Sequence, residues 1–427
     1  MKNKSSWRLV FTGQKKKSRR LIRVTALGFF ALAGVSQAQQ VIAPPPPMVS
    51  TVPPALADLG PSEMQVFPPA VANFLEELNP LQWGPVTLHP HVSYQFTYST
   101  GVQSNTNQPA ADTIVQSLSP GVLFVYGRHW TLDYTPTFTF YSDKQFQNNV
   151  SHAVILSGGT VYDDWTLSLS QSFNYSSVPQ VETGAQTETT AYSTGLNASR
   201  QLTTDLSLSL GVSQNLNFPT GYESTKTWST SEALNYQFWP RLTAGISVGF
   251  GYTVATPNSY FGQIGGQASW RATDQLSISG NAGAQVTTFT SGGGAPLGSP
   301  IFGVSIQDQI FKHTQLSLNA SEGLTTSYYD NQVTETTSVG ASLNQRLFQH
   351  YTLSVGGAYN WTTYHAATSN TAPNAGSEYY SINVSLGTTI FKRVGTSVFY
   401  NYSANTTSQT GLAFASNQVG FNLSYSF

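Results

Sequence analysis

The 427-residue chain contains no cysteine, and only 9% of its residues are Asp, Glu, Lys or Arg. The first absence excludes disulfides, thiolate catalysis and a lipid-anchored N-terminal cysteine, and it leaves the redox compartment open. The second is far from the roughly 25% charge of ordinary soluble domains. Long apolar runs are also missing from a chain that is 39% hydrophobic, which argues against a bundle of membrane helices. Ser, Thr, Asn, Gln and Gly fill the space, with aromatics at 13%. Such a composition suits a sheet with one face in hydrocarbon and the other against water.

The formal charge of -1 hides an asymmetry, because nine of the 19 basic residues lie in the first 23 positions. Without that segment, 10 basic and 20 acidic residues give a net charge of -10. A basic footprint for nucleic acid is therefore lacking. The segment itself reads as a signal peptide. Its cations, from Lys2 to Arg23, precede the mainly apolar stretch Val24 to Val35, and Ser36 with Ala38 forms a small-x-small cleavage pattern. The apolar stretch is too short for a membrane-crossing helix, which needs about 20 residues. Residues 1–38 are expected to be removed, leaving Gln39 as the mature start.

Residues 39–84 form a Pro-rich periplasmic extension, with Pro44 to Pro47, Pro53, Pro54 and Pro61 favouring extended chain. Ala70 to Leu78 is a candidate short helix. From residue 85 to 427 the pattern is strict alternation. Leu206, Leu208, Leu210 and Val212 alternate with Ser207, Ser209, Gly211 and Ser213, and Leu242, Ala244, Ile246 and Val248 with Thr243, Gly245, Ser247 and Gly249.

Eighteen such segments, from 86–98 to 412–427, each match a tilted crossing of ~9–11 residues. The fold expected is all-β, a transmembrane antiparallel β-barrel of about 18 strands, with 16 as the next choice. An even number places both ends of the barrel on the periplasmic side, and closure is required because hydrocarbon leaves no partner for an open edge. The weakest segments are 150–162, where parity drifts through Gly158 and Gly159, and 394–403. Tight links near Arg128, Asp163, Gln201, Pro240, Ala272, His313, Gln349 and Lys392 alternate with longer polar loops. Aromatics such as Trp130, Trp165, Trp239, Trp270 and Phe348 gather beside the tight links, as an interfacial girdle would.

The chain closes on Val419, Phe421, Leu423, Tyr425 and Phe427, alternating with small and polar residues. This ending resembles the terminal strand bound by the bacterial barrel-assembly machinery, which is thus an implied partner. Over residues 85–427 the hairpin pattern resembles β-barrel porin families of outer membranes, the porin-2-like group in particular. Similar barrels occur beside exopolysaccharide export genes. The resemblance rests on hairpin pattern and terminal strand rather than on a diagnostic motif. The location it implies is the cell outer membrane, with lipid bilayer and lipopolysaccharide around the wall.

Eighteen strands close at a backbone radius of roughly 18 Å, too wide for side chains to fill. The extension is too small for a folded plug domain, and no loop is long enough to fold deeply inward, so a fairly open aqueous channel is expected. Its candidate lining residues are Asp133, Ser168, Ser209, Asn215, Ser247 and Asn319, mostly hydroxyls and amides. Without a ring of charge, weak ion selectivity and passage of small hydrophilic, mostly neutral solutes follow. Export of an exopolysaccharide or other polymer, and a structural or adhesive barrel, are the alternatives.

Asp133 reads first as a solvated wall residue. His89 and His91 share a face, but without a local carboxylate they are a weak metal pair and read as solvated lumen residues. No cofactor, metal site or enzymatic constellation is expected. Arg200, Arg241, Arg271, Lys312, Arg346 and Arg393 sit beside tight links and read as anchors at the interface. Asp308, Glu322 and Glu335 fall on the lipid-facing parity. A bulge, an interfacial position or packing against a second subunit in a homo-oligomer would each account for them.

Overall fold

A computed structural model describes residues 81–427, apart from 107, 128, 291–294, 349, 368–375, 392, 408–410 and 427. The expected signal peptide, most of the Pro-rich extension, its candidate helix, the links at Arg128, Gln349 and Lys392, and Phe427 lie outside the described residues.

Every regular element among the described residues is a strand: β1 (Leu81–Trp83), β2 (Val86–Val102), β3 (Ala111–Tyr126), β4 (Trp130–Tyr141), β5 (Asn149–Tyr162), β6 (Trp165–Pro179), β7 (Gln186–Gln201), β8 (Leu206–Pro219), β9 (Thr225–Trp239), β10 (Leu242–Val254), β11 (Ser259–Arg271), β12 (Leu276–Phe289), β13 (Leu297–Phe311), β14 (Thr314–Thr326), β15 (Gln332–Leu347), β16 (Tyr351–Ala366), β17 (Gly376–Ile390), β18 (Val394–Thr407) and β19 (Phe414–Ser426). Each pairs antiparallel with its neighbour in sequence, and β19 pairs with β2 from Asn417↔Thr100 to Ser426↔His91. Nineteen strands less the three-residue β1 leaves a closed barrel of eighteen. All eighteen expected crossings are present, including the two weak ones, so the 16-strand alternative is set aside.

Gly158 and Gly159 have a steric reason to interrupt the pattern on β5. A Cβ on Gly158 would sit 2.3 Å from the Trp130 ring, and one on Gly159 would sit 2.6 Å from the Leu167 carbonyl oxygen. The glycines keep β5 flat beneath the indole of β4, so its register with β4 and β6 is unbroken.

Short β1 belongs to what the sequence assigns to the irregular extension. Leu81–Trp83 turns through Gly84 and Pro85 and pairs with Val86–Leu88. Because β3 occupies the other edge of β2, β1 covers the portion of β2 that β19, ending opposite His91, does not reach.

One end of the barrel carries the tight links and the other the longer loops. Along the outward parity, Ile246, Phe250, Ile264, Val286, Val304, Val339 and Val398 are exposed. An apolar band of this kind costs free energy in water, about 25 cal/mol per Å², and is stable only against hydrocarbon. At the turn end the band is bordered by exposed Trp83, Tyr126, Tyr162, Phe238, Trp239, Trp270 and Phe311. Phe348 and Phe391 stand out among these. Both hold positive φ in a turn, 48° and 52°, and are 85% and 88% exposed. An aromatic residue adopts that strained backbone at a cost of about 1–2 kcal/mol, which insertion of the ring into the headgroup region offsets.

Candidate channel interior and loop cap

Opposite the apolar band runs the inward parity. Its composition is uneven in charge. Among the described strand residues, Asp133 is the one acid with inward parity, and Arg271 and Arg346 are the only Lys or Arg residues, both at the turn end. Ser168, Ser209, Asn215, Ser247 and Asn319 all fall on this face. Ser193 Oγ donates to Asn215 Oδ1 at 2.8 Å, and Asn319 lies against Gly340 of the next strand. Ser247 is opposite Gly265, and Ser209 opposite Ser199 and Ala233. Some of these side chains bond across to the next strand, as Ser193 does to Asn215 and as Ser213 and Ser229 do at 2.6 Å.

Asp133 is placed differently. The expectation of a solvated wall residue is corrected: it is 8% exposed. The same correction holds for His89 and His91, each 6% exposed. The carboxylate that His91 lacks locally arrives from β4, two strands away. His91 Nε2 is 3.2 Å from Thr135 Oγ1 and 3.8 Å from Asp133 Oδ2, and Thr135 Oγ1 donates to Asp133 Oδ1 at 2.7 Å. Gly121 on β3 makes the meeting possible. A Cβ there would lie 2.3 Å from His91 Nε2 and 2.6 Å from Thr135 Oγ1. Among the described residues no group of three or more metal-ligating side chains forms.

The loop end is not the open mouth that loop length suggests. The 180–185 loop, between β6 and β7, meets the 327–331 loop, between β14 and β15, four hairpins away around a ring of nine. Glu182 Oε1 accepts from Ser327 Oγ at 2.6 Å and from the Tyr328 amide at 2.9 Å, while Tyr329 Oη donates to the Glu182 carbonyl at 3.2 Å. Tyr222, from the 220–224 loop, packs edge-on against Tyr328 and Tyr329 with centroids 6.0 and 5.9 Å away. The Glu223 amide donates to the Tyr328 carbonyl, and the Asn331 amide to the Thr256 carbonyl. Beneath these contacts Val102, Val115, Tyr141, Phe146 and Val181 form a small buried apolar core. Loops too short to fold inward singly have built a cap together.

Burial holds the Glu182 carboxyl above its ordinary range, against the lowering effect of the Ser327 and Tyr328 bonds. Glu223 is raised as well, first by burial and then by its contact with Asp330. Tyr329 is pushed up to about 12 by burial, with Tyr222 and Glu182 adding to the effect.

At the turn end, a cavity of about 440 Å³ is lined by Gln275, Ser277, Gln307, Lys312, Asn344 and Arg346, among others. The anchors expected there are in place. Arg200 pairs with Asp164 at 3.1 Å and lies over the Trp165 ring, and Arg241 pairs with Asp274 at 2.7 Å. Of the acids on the outward parity, Asp308 directly precedes a register shift ending at Phe311, beside the turn. Glu335, near the loop end, bonds to His365 Nε2 at 2.8 Å and to Ser299, and Glu322 accepts from Thr337 at 3.5 Å.

The sequence reading overlooked Glu232. It lies midway along β9 on the outward parity, between Leu210 and Val248, and its Oε2 is buried without a hydrogen-bond partner. The signal was available: Trp228, Leu234, Tyr236 and Phe238 share its parity.

A closed hydrogen-bonded wall, an apolar exterior edged with aromatics and a polar interior define a transmembrane β-barrel of the outer-membrane type. Solved structures of similar architecture include OpdK of Pseudomonas aeruginosa, an outer membrane protein. It is 12% identical, matched over 80% of this chain and 99% of that one, with a TM-score of 0.45. Others are OccK2 (OpdF) of the same organism, solved in complex with glucuronate (12%, 80% and 98%, 0.44), and OccAB4 of Acinetobacter baumannii (11%, 82% and 99%, 0.43). No protein-family model and no curated protein matches the chain.

Proposed function

We propose that the barrel is a passive outer-membrane channel for small hydrophilic, mostly neutral solutes, with weak selectivity between ions. The observation that carries this reading is the inward parity of β6 to β18, hydroxyl- and amide-rich with scattered apolar residues, and without charge except for Arg271 and Arg346 at the turn end. Strong ion selectivity needs a ring of charge or oriented dipoles, and a neutral polyol needs only rows of exchangeable hydrogen-bond partners. The loop cap adds a second constraint, because solutes have to pass beside or through it. Liposome swelling with uncharged sugars, run beside reversal-potential measurements in planar bilayers, tests the proposal. Sugar flux with a small reversal potential is expected. Strong ion preference with no sugar flux in folded protein would refute it.

A further inference from the structure

On the inward parity between β10 and β17, three long amides stand directly opposite a glycine. Gln263 faces Gly249, Asn319 faces Gly340 and Asn383 faces Gly356. A Cβ built on Gly249 would lie 2.5 Å from Gln263 Nε2. On Gly340 it would lie 2.7, 3.0 and 3.2 Å from Asn319 Oδ1, Nδ2 and Cγ, and on Gly356 it would meet the same three atoms of Asn383 at the same distances. Directly opposite Cβ positions are about 4.5–5.5 Å apart, so a side chain standing straight off the wall holds its head farther away than this. Each amide has therefore leaned across, and its head fills the space that a side chain on the glycine would take. Burial does not force the lean at Asn319 or Asn383, because both are exposed.

The pairs also share a level. Asn319 and Gly340 stand five and seven residues in from the turn-end limits of β14 and β15, and Gly356 and Asn383 stand five and seven in from those of β16 and β17. Gly249 and Gln263 stand seven and eight in on β10 and β11.

We propose that these facing glycines set the bore of the channel at this level, and with it the girth of the uncharged solutes that pass. The inference rests on the reading of the barrel as a diffusion channel. Glycine weakens a strand interior, so its place opposite each amide calls for a packing reason. With glycine there, the amide head lies down along the wall. With a larger residue the head has to rise into the lumen, because 2.7 Å is well inside contact distance. At Gly340 and Gly356 all three nearest atoms belong to the amide head, so the side chain yields and the backbone stays. A device of this kind sorts sugars by size and adds no charge that would sort ions.

The test is the double variant Gly340→Ala, Gly356→Ala. Inward side chains narrow the roughly 18 Å backbone radius to about 12 Å, so two raised carboxamides occupy about a tenth of the section. Single-channel conductance is expected to fall by about that fraction, and liposome swelling by a trisaccharide to fall more than swelling by a monosaccharide. Adding Asn319→Ala and Asn383→Ala removes the raised heads and should restore both. Unchanged conductance in the folded double variant overturns the proposal, and so does a loss that trimming the amides fails to reverse. Should the glycine variant not fold, the two amide trims alone, in the parent background, answer the same question. They are expected to leave conductance almost unchanged, and a clear rise would mean that the amides already stand in the lumen. A parent barrel that carries no current fails the channel reading, and the packing is then read chemically. In a chain without cysteine, Asn319→Cys should react severalfold faster with a hydrophilic maleimide when combined with Gly340→Ala than alone. Equal rates overturn the proposal.

Discussion

Replacing Glu182 by Ala should loosen the cap, and the structure sets the scale. One carboxylate oxygen accepts both the Ser327 hydroxyl and the Tyr328 amide, the contacts that hold the 180–185 loop across the mouth. Hydrogen bonds to a charged group contribute about 1.5–3 kcal/mol each, but the carboxylate is also released from burial, so a net loss of about 2 kcal/mol is reasonable. That shifts the closed-to-open ratio of the latch roughly 30-fold. The Tyr329 bond reaches the backbone carbonyl and should persist in the variant. Single-channel recording is the assay, with Glu182→Ala expected to show longer open dwells or a larger main conductance. Glu182→Gln keeps the accepting oxygen and should behave like the parent. The pH dependence has a defined sign. Burial raises the carboxyl in the latched state, so the latch prefers the protonated form. Its stability is full below the ordinary glutamate range, about 4.3, and declines as pH rises through the window above it. Glu223 adds in the same direction. Opening should therefore increase with pH across that window in the parent and less so in Glu182→Gln. Identical gating of parent and Glu182→Ala would refute the latch.

Asp133→Asn should leave the reversal potential unchanged, because the carboxylate is buried beside His91 and not in the solute path, while lowering barrel stability by about 1–3 kcal/mol; the heat-modifiability midpoint on gels reads the second effect and bilayer recording the first. Gly121→Val should cost about 1–3 kcal/mol or more, since its first side-chain atom already meets the His91 ring, and a normal urea midpoint would contradict the contact. Glu232→Leu should stabilise the barrel in lipid by roughly 1–2 kcal/mol by removing a lipid-facing carboxyl, and destabilisation in the same unfolding assay would mean that the residue has a partner. Mass spectrometry of the mature protein should find Gln39 at the N-terminus, free or cyclised, and an intact Met1–Ala38 segment in the membrane fraction would count against cleavage.

The crossings, the tight links and the aromatic girdle could all be read from the sequence by itself, because each is a local property. A strand with unlike faces repeats every two residues, and Leu242 to Val248 states which face meets lipid without help from any distant residue. The inward parity of Ser168, Ser209, Asn215, Ser247 and Asn319 follows from the same period. What only the tertiary structure decided depends on residues far apart in the chain. His91 meets Thr135 across 44 positions and Glu182 meets Ser327 across 145. No period in the sequence encodes either meeting. The β2–β3–β4 meander sets His91 and Thr135 two strands apart, with Gly121 of β3 leaving them room to meet, and loops too short to reach inward alone build a shared cap. Parity fixes which way a side chain points, but its burial depends on what the closed barrel places in front of it.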